Sequence, residues 1–123
     1  MADEAKKILI AEDDHFLSKV LRDKLEAAGY EITVASDGAV ASELIKEMSF
    51  DLVLLDLLMP NKDGYEVLLD MRLAGIKVPV AVLSNLSSAD EKARAEELGA
   101  KEYIVKSDIP LDQILQIIEK MLK

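Results

Sequence analysis

Two hydrophobic periods alternate along this chain, and that alternation restricts its fold more than any other feature. Short apolar runs stand at Ile8–Ala11, Ile32–Ala35, Leu52–Leu55, Val78–Leu83 and Tyr103–Val105. Most are continuously apolar, the pattern of strands covered on both faces. Between them, apolar residues recur every three or four positions. Phe16, Leu17, Val20, Leu21, Leu25 and Ala28 form one such stripe, stopped by Gly29. Ala41, Leu44, Ile45 and Met48 form a second, opened by Ser36-Asp37 as a cap. Further helices are expected over Tyr65–Leu73, closed by Gly75, and Ala89–Leu98, closed by Gly99. The last begins near Pro110 and carries Leu111, Ile114, Leu115, Ile118, Met121 and Leu122 on one face, which reads as cover for a sheet. Five strands alternating with five helices imply parallel βαβ units with right-handed crossovers. The expected product is an α/β fold, a doubly wound five-stranded parallel sheet with helices on both faces.

Size and charge narrow the function. A chain of 123 residues is expected to form one domain, 1–123, with a core that needs no staples. It has no cysteine, which excludes disulfides, zinc–thiolate sites and iron–sulfur clusters. Lys and Arg number 15 against 24 Asp and Glu, a net charge of −9 that disfavours direct nucleic-acid binding or attachment to an anionic membrane. The apolar runs are far short of the ~20 residues of a membrane span. The start, Met-Ala-Asp-Glu-Ala-Lys-Lys, does not resemble a signal peptide, so a cytoplasmic location is expected. The sequence stops with its final helix, and no DNA-binding or enzymatic output is expected of these residues. The expectation is either a stand-alone protein or a domain cut from something longer.

In a sheet of this kind, ligands collect at the carboxyl ends of the strands. Glu12-Asp13-Asp14 follows the first run, Asp56 the third, Ser84-Asn85 the fourth and Lys106-Ser107 the fifth. Asp14 reads as a helix cap, and His15, the only histidine, as an exposed helix residue. The lysine–glutamate mixture of Glu91–Glu97 reads as a solvated face. Crowded carboxylates repel one another unless a cation sits among them. Glu12, Asp13 and Asp56 sum to −3, Lys106 returns +1, and a divalent cation would bring the set to zero. Oxygen-only donors favour Mg2+ over zinc or copper. Magnesium commonly bridges carboxylates to a phosphate, which suggests phosphoryl chemistry with one aspartate as nucleophile. Ser84 and Lys106 would then bond and balance the transferred oxygens.

These residues resemble the receiver domain of two-component response regulators, over the whole chain. The matching segments are Ile-Leu-Ile-Ala-Glu12-Asp13-Asp14, Leu-Val-Leu-Leu-Asp56-Leu-Leu-Met59-Pro60-Asn-Lys-Asp-Gly64-Tyr, Val-Leu-Ser84 and Tyr103-Ile-Val-Lys106, in that order. The resemblance implies a (βα)5 sheet of flavodoxin-like strand order 2-1-3-4-5. It implies Asp56 as phosphoacceptor, Glu12 and Asp13 as the acidic pair holding Mg2+, and a metal ligand in the backbone carbonyl of Leu58. Ser84 would be the switch hydroxyl, Lys106 the phosphoryl-pairing lysine and Tyr103 the aromatic switch. Backbone contacts to the phosphoryl group would come from Leu57 and Asn85. The donor would be a phosphohistidine on a histidine kinase or a phosphotransfer protein. The output would be a changed surface of the fourth helix, fifth strand and fifth helix, read by a downstream protein in signal transduction. Such a domain is not a conventional enzyme and catalyses only its own phosphorylation and dephosphorylation.

The chain departs from the family's pattern in three respects. Lys106 is followed by Ser107 where the family usually has proline after a cis bond. A cis bond before a non-proline costs about 3–4 kcal/mol, so trans or a strained exception is expected. Asn85 stands where a small residue usually follows the hydroxyl. Leu58 and Leu86 flank the mouth of the site, and two apolar side chains there would disfavour an attacking water. Rival readings fit less well. A dehalogenase-type phosphatase wants an aspartate where Leu58 stands, and a flavin binder wants a glycine- and hydroxyl-rich loop where Glu12-Asp13-Asp14 stands. A pseudo-receiver, a protein-binding module that takes no phosphate, is the alternative.

Overall fold

The computed structural model describes residues 5–123, so the first four residues of the acidic N-terminal stretch lie outside the described residues. The elements run β1 (Lys7–Ala11), α1 (His15–Ala27), β2 (Glu31–Ala35), α2 (Gly38–Glu47), β3 (Leu52–Leu55), α3 (Gly64–Leu73), β4 (Val80–Ser84), α4 (Ala89–Glu97), β5 (Glu102–Val105) and α5 (Leu111–Met121). All strand pairs are parallel and the strand order is β2-β1-β3-β4-β5.

The continuous apolar runs have their cause here. Successive strand side chains point to opposite faces, and helices cover both. Ile8, Ile10, Leu52, Leu54, Ala81 and Leu83 pack with Leu21 and Leu25 of α1 and Ile114 and Ile118 of α5. Their neighbours Leu9, Ala11, Val53, Leu55 and Val82 pack with α2, α3 and α4 through Ala41, Ile45, Leu68, Met71 and Ala95. Asp14, Asp37, Asp63 and Ser88 cap the first four helices through side-chain oxygens, and Asp63 forms a reciprocal capping box with Glu66.

Two expectations need correction. The fourth strand begins at Val80, because Val78-Pro79 only leads into the sheet and Pro79 contributes its carbonyl to the Val53 N–H. Phe16 is 79% exposed and does not belong to the buried stripe of α1, which is Ser18, Leu21 and Leu25. Nine residues at about 100° each put Phe16 on the opposite side of the helix from Leu25.

Register positions the site. Ala11 pairs with Ala35 and Leu55, and Ser84 pairs with Val105. Glu12 and Asp56 therefore leave neighbouring strands at one height, and Lys106 follows directly on the strand paired to Ser84. Three backbone bonds hold these exits level: Glu12 N–H to the Ala35 carbonyl (3.0 Å), Asp56 N–H to that of Ala11 (2.9 Å) and Lys106 N–H to that of Ser84 (2.9 Å).

Candidate functional site

One carboxylate oxygen each from Glu12, Asp13 and Asp56 lies within 4.8 Å of the others. Glu12 and Asp56 are buried, and Asp13 faces solvent. The Lys106 ammonium enters this group, 2.5 Å from Glu12 Oε1 and 3.1 Å from Asp56 Oδ2. Asp56 Oδ1 accepts from the Leu58 N–H at 3.3 Å, and Glu12 Oε2 from the Asp14 N–H at 3.1 Å. Glu12 Oε1, although beside the ammonium, receives no aligned hydrogen bond.

Burial sets the electrostatics. Desolvation pushes the Glu12 carboxyl up to about 7, with Asp56 adding to the rise and Lys106 opposing it. Burial works against the Lys106 ammonium, but Glu12 and Asp56 outweigh it and hold its pKa above the ordinary lysine value. Both groups thus hold their protons more tightly: the lysine because two carboxylates face it, Glu12 because it is buried beside a second acid. One lysine leaves three carboxylates under-compensated. The donors are all hard oxygens, one of them buried without an aligned donor, and the set suits a hard divalent cation.

The other expected residues take their places around this rim. Ser84 is fully buried and its Oγ accepts the Leu86 N–H at 3.3 Å. The Tyr103 hydroxyl donates to the Leu86 carbonyl at 2.6 Å. Burial, aided by Glu91 and Asp56, raises the Tyr103 phenol above its ordinary range. One residue, Leu86, thus joins the hydroxyl and the aromatic ring through the two ends of its backbone. Leu57 is buried and its carbonyl accepts the Gly64 N–H at 2.9 Å; Asn85 is exposed. Leu58 is 58% exposed at the mouth and Leu86 is half-buried. His15 is exposed and Asp14 caps α1 through the N–H groups of Phe16 and Leu17. Among the described residues no peptide is cis, so Lys106–Ser107 is trans.

Sequence reasoning missed several contacts beside the site. The Tyr65 hydroxyl donates to the Glu91 carboxylate, and the Arg94 guanidinium lies 3.9 Å from the Tyr65 ring centre. Glu91 is therefore half-buried and tied to α3, a correction to its reading as part of a solvated face. Asn61, in the loop after Asp56, donates to Asp37 at the start of α2 (3.1 Å). Residues 26 and 24 apart are involved, and no local spacing reveals such pairs.

Fold and rim together define a doubly wound α/β domain whose strand ends gather acids, a hydroxyl and a lysine. Residues 8–119 match the family model described as response regulator receiver domain, and the chain belongs to that family. A curated relative, the probable transcriptional regulator ycf27 of Porphyridium aerugineum, is 36% identical over 107 residues, covering 87% of this chain and 44% of its own length. The chain spans about half the length, or less, of the curated relatives it matches first. The receiver domain of the Francisella response regulator 1452 superposes with a TM-score of 0.88 at 31% identity, over 95% of this chain and 96% of that one. The receiver domain of the sensor histidine kinase PA1611 from Pseudomonas aeruginosa PAO1 shares the fold, with a TM-score of 0.84 at 23% identity over 96% and 98% of the two chains. That protein is described with a magnesium ion coordinated in its active-site cleft. Among the described residues no helix is long and apolar enough to cross a membrane.

Proposed function

We propose that residues 1–123 act as one receiver unit that takes a phosphoryl group from a phosphohistidine onto Asp56, in a Mg2+-dependent reaction. The observation that carries this reading is the convergence of Glu12, Asp13 and Asp56 on one point with a single lysine among them. Asp13, Asp56 and the Leu58 carbonyl would hold the ion directly, with Glu12 acting largely through water. When bound, magnesium supplies charge neutralisation and a template for the transferring oxygens.

The chain's own groups do the rest. A carboxylate oxygen of Asp56 attacks phosphorus, the phosphorus–nitrogen bond breaks, and its electron pair returns to the imidazole of the donor. The product replaces the single charge of the Asp56 carboxylate by a phosphoryl group of about −1.5 to −2 beside Glu12 and Asp13. Lys106, already at Asp56 Oδ2, turns to the new oxygens. The Ser84 oxygen accepts from Leu86, so its own proton is free for donation to a phosphoryl oxygen. The backbone N–H groups of Leu57 and Asn85 are the remaining donors. Drawing Ser84 toward the phosphate breaks its bond to Leu86, whose carbonyl holds Tyr103. The switch is then a shift between two packings of the loop after β4, read out on α4, β5 and α5. The implied partners are a histidine kinase or phosphotransfer protein upstream and a downstream protein on that face, all in the cytoplasm. Neither nucleic acid nor membrane is contacted directly, and the domain turns over only its own phosphoryl group.

The test is incubation with Mg2+ and acetyl phosphate, followed by intact mass measurement of the wild type and of Asp56→Asn. One added phosphoryl group in the wild type alone supports the reading. No addition to the wild type refutes it and leaves the protein-binding module.

A further inference from the structure

The loop between Asp56 and α3 has few bonds of its own. Lys62 N–H reaches back to the Pro60 carbonyl (2.8 Å), and Gly64 N–H to that of Leu57 (2.9 Å). The stretch between is held from outside, on one side by the ion pair of Lys62 with Asp70 of α3 and on the other by the start of α2. Gly38 N–H donates to the Pro60 carbonyl at 3.4 Å, and a Cβ on Gly38 would lie 1.7 Å from the Lys62 carbonyl oxygen, so α2 touches the loop backbone. Asn61 Nδ2 donates to Asp37 Oδ2 at 3.1 Å. Asn61 is also the one non-glycine residue with positive φ (68°) among the described residues. Left-handed backbone disfavours most side chains, and asparagine tolerates it better than most. Asp37 has two tasks, since its Oδ1 accepts the Val40 N–H at 2.8 Å and caps α2. Those bonds, Val40 first and Asn61 with it, hold the Asp37 carboxyl below the usual range. A cap alone would use one oxygen.

We infer that Asp37 and Asn61 are positioning residues that strap the loop carrying the Leu58 carbonyl, so that α2 helps to set the aim of that carbonyl toward the acidic rim. The inference rests on the reading of Leu58 as a metal ligand. Neither strap residue touches the acids or the lysine, so their effect on cation binding is transmitted through backbone.

The experiment is calorimetric titration of Mg2+ into the full chain, with a melting curve for each variant. Asn61→Asp keeps a residue that tolerates left-handed backbone but sets two carboxylates against each other. Asp37→Asn together with Asn61→Asp exchanges donor and acceptor, and the asparagine at position 37 still caps α2. Asn61→Asp should weaken Mg2+ binding about fivefold, the worth of one such bond, and the exchanged pair should restore it to within twofold. The melting curves should show every variant fully folded at the titration temperature, so that a change in affinity is not a loss of folded protein. Unchanged affinity in Asn61→Asp overturns the strap and leaves the reading of the acidic site intact. Weakened affinity that the exchanged pair fails to restore also overturns it. A wild type that does not bind Mg2+ overturns both.

Discussion

Glu12→Gln should make the metal-free protein more stable at alkaline pH, although it removes a charged partner from Lys106. The carboxyl of Glu12 is raised from 4.5 to about 7, chiefly because it is buried. An acid whose folded pKa lies above its unfolded pKa binds more protons when folded. Stability is then largest below about pH 4.5 and falls as pH rises toward 7, where the folded group ionises. A rise of two to three units corresponds to about 3 kcal/mol at 1.36 kcal/mol per unit. That figure already includes the attraction of Lys106, which lowers the pKa. Glutamine keeps the shape and the acceptor for the Asp14 N–H without the charge. The assay is thermal melting by circular dichroism in chelator at about pH 5 and about pH 8, two points on either side of the Glu12 transition. For a domain of this size, 3 kcal/mol is about 10 °C of melting temperature. The variant should melt about that much higher than wild type at the alkaline point and nearly level with it at the acid point. Adding Mg2+ should then raise the wild type far more than the variant, since only the wild type has the buried charge for the ion to relieve. A variant that is equal to or less stable than wild type at about pH 8 would refute the claim that burial outweighs the lysine.

Three further outcomes follow from contacts around the rim. Gly64→Ala places a Cβ 2.5 Å from the Asp56 carbonyl oxygen and 2.8 Å from the Leu57 Cα, both backbone atoms, so α3 must move off the end of β3. The expected loss is about 2 kcal/mol by denaturant unfolding, with slower phosphorylation of Asp56 by acetyl phosphate; wild-type stability would show the contact to be soft. Leu58→Asn exchanges a half-exposed apolar side chain at the mouth for one that can orient water. Loss of the phosphoryl group, followed by mass, should be several-fold faster, and an unchanged or slower rate would exclude Leu58 as a water shield. Tyr65→Phe removes the hydroxyl that donates to the Glu91 carboxylate between α3 and α4. A bond to a charged acceptor is worth about 1.5–3 kcal/mol, so the melting temperature should drop measurably, and Glu91→Gln should lose part of the same energy.

Much of this fold was legible because both of its periods are strictly local. Ile8 and Ile10 face one layer of helices while Leu9 and Ala11 face the other, so an apolar run of four could only be an interior strand. The same locality made the site legible, since Glu12, Asp56, Ser84 and Lys106 each occupy the last place of a strand or the first place after it, and parallel pairing levels those places. What each acid experiences was not legible. Glu12 and Asp13 are adjacent in sequence, yet one is 2% exposed and the other open to solvent. Phe16 misled because a count of apolar residues every three or four positions does not say which side of the helix meets the sheet.

The contacts that escaped the sequence share a physical character. Asn61 with Asp37, Tyr65 with Glu91, and Leu86 with both Ser84 and Tyr103 join loops and helix starts across different units of the chain. Each uses a polar group on a residue whose local surroundings already explain it: a turn asparagine, a helix cap, an acid in a helix's first turn. None is forced by burying apolar surface, the one interaction that writes a period into sequence. They lie around the acidic rim because the carboxyl ends of parallel strands are where backbone leaves the sheet and needs other partners. The hydrophobic pattern therefore brings the acids and the lysine together, while bonds of about 1 kcal/mol each hold the loops that shape the space between them. Such bonds are weak enough to be exchanged in the proposed phosphoryl transfer, which a contact made in the core would not be.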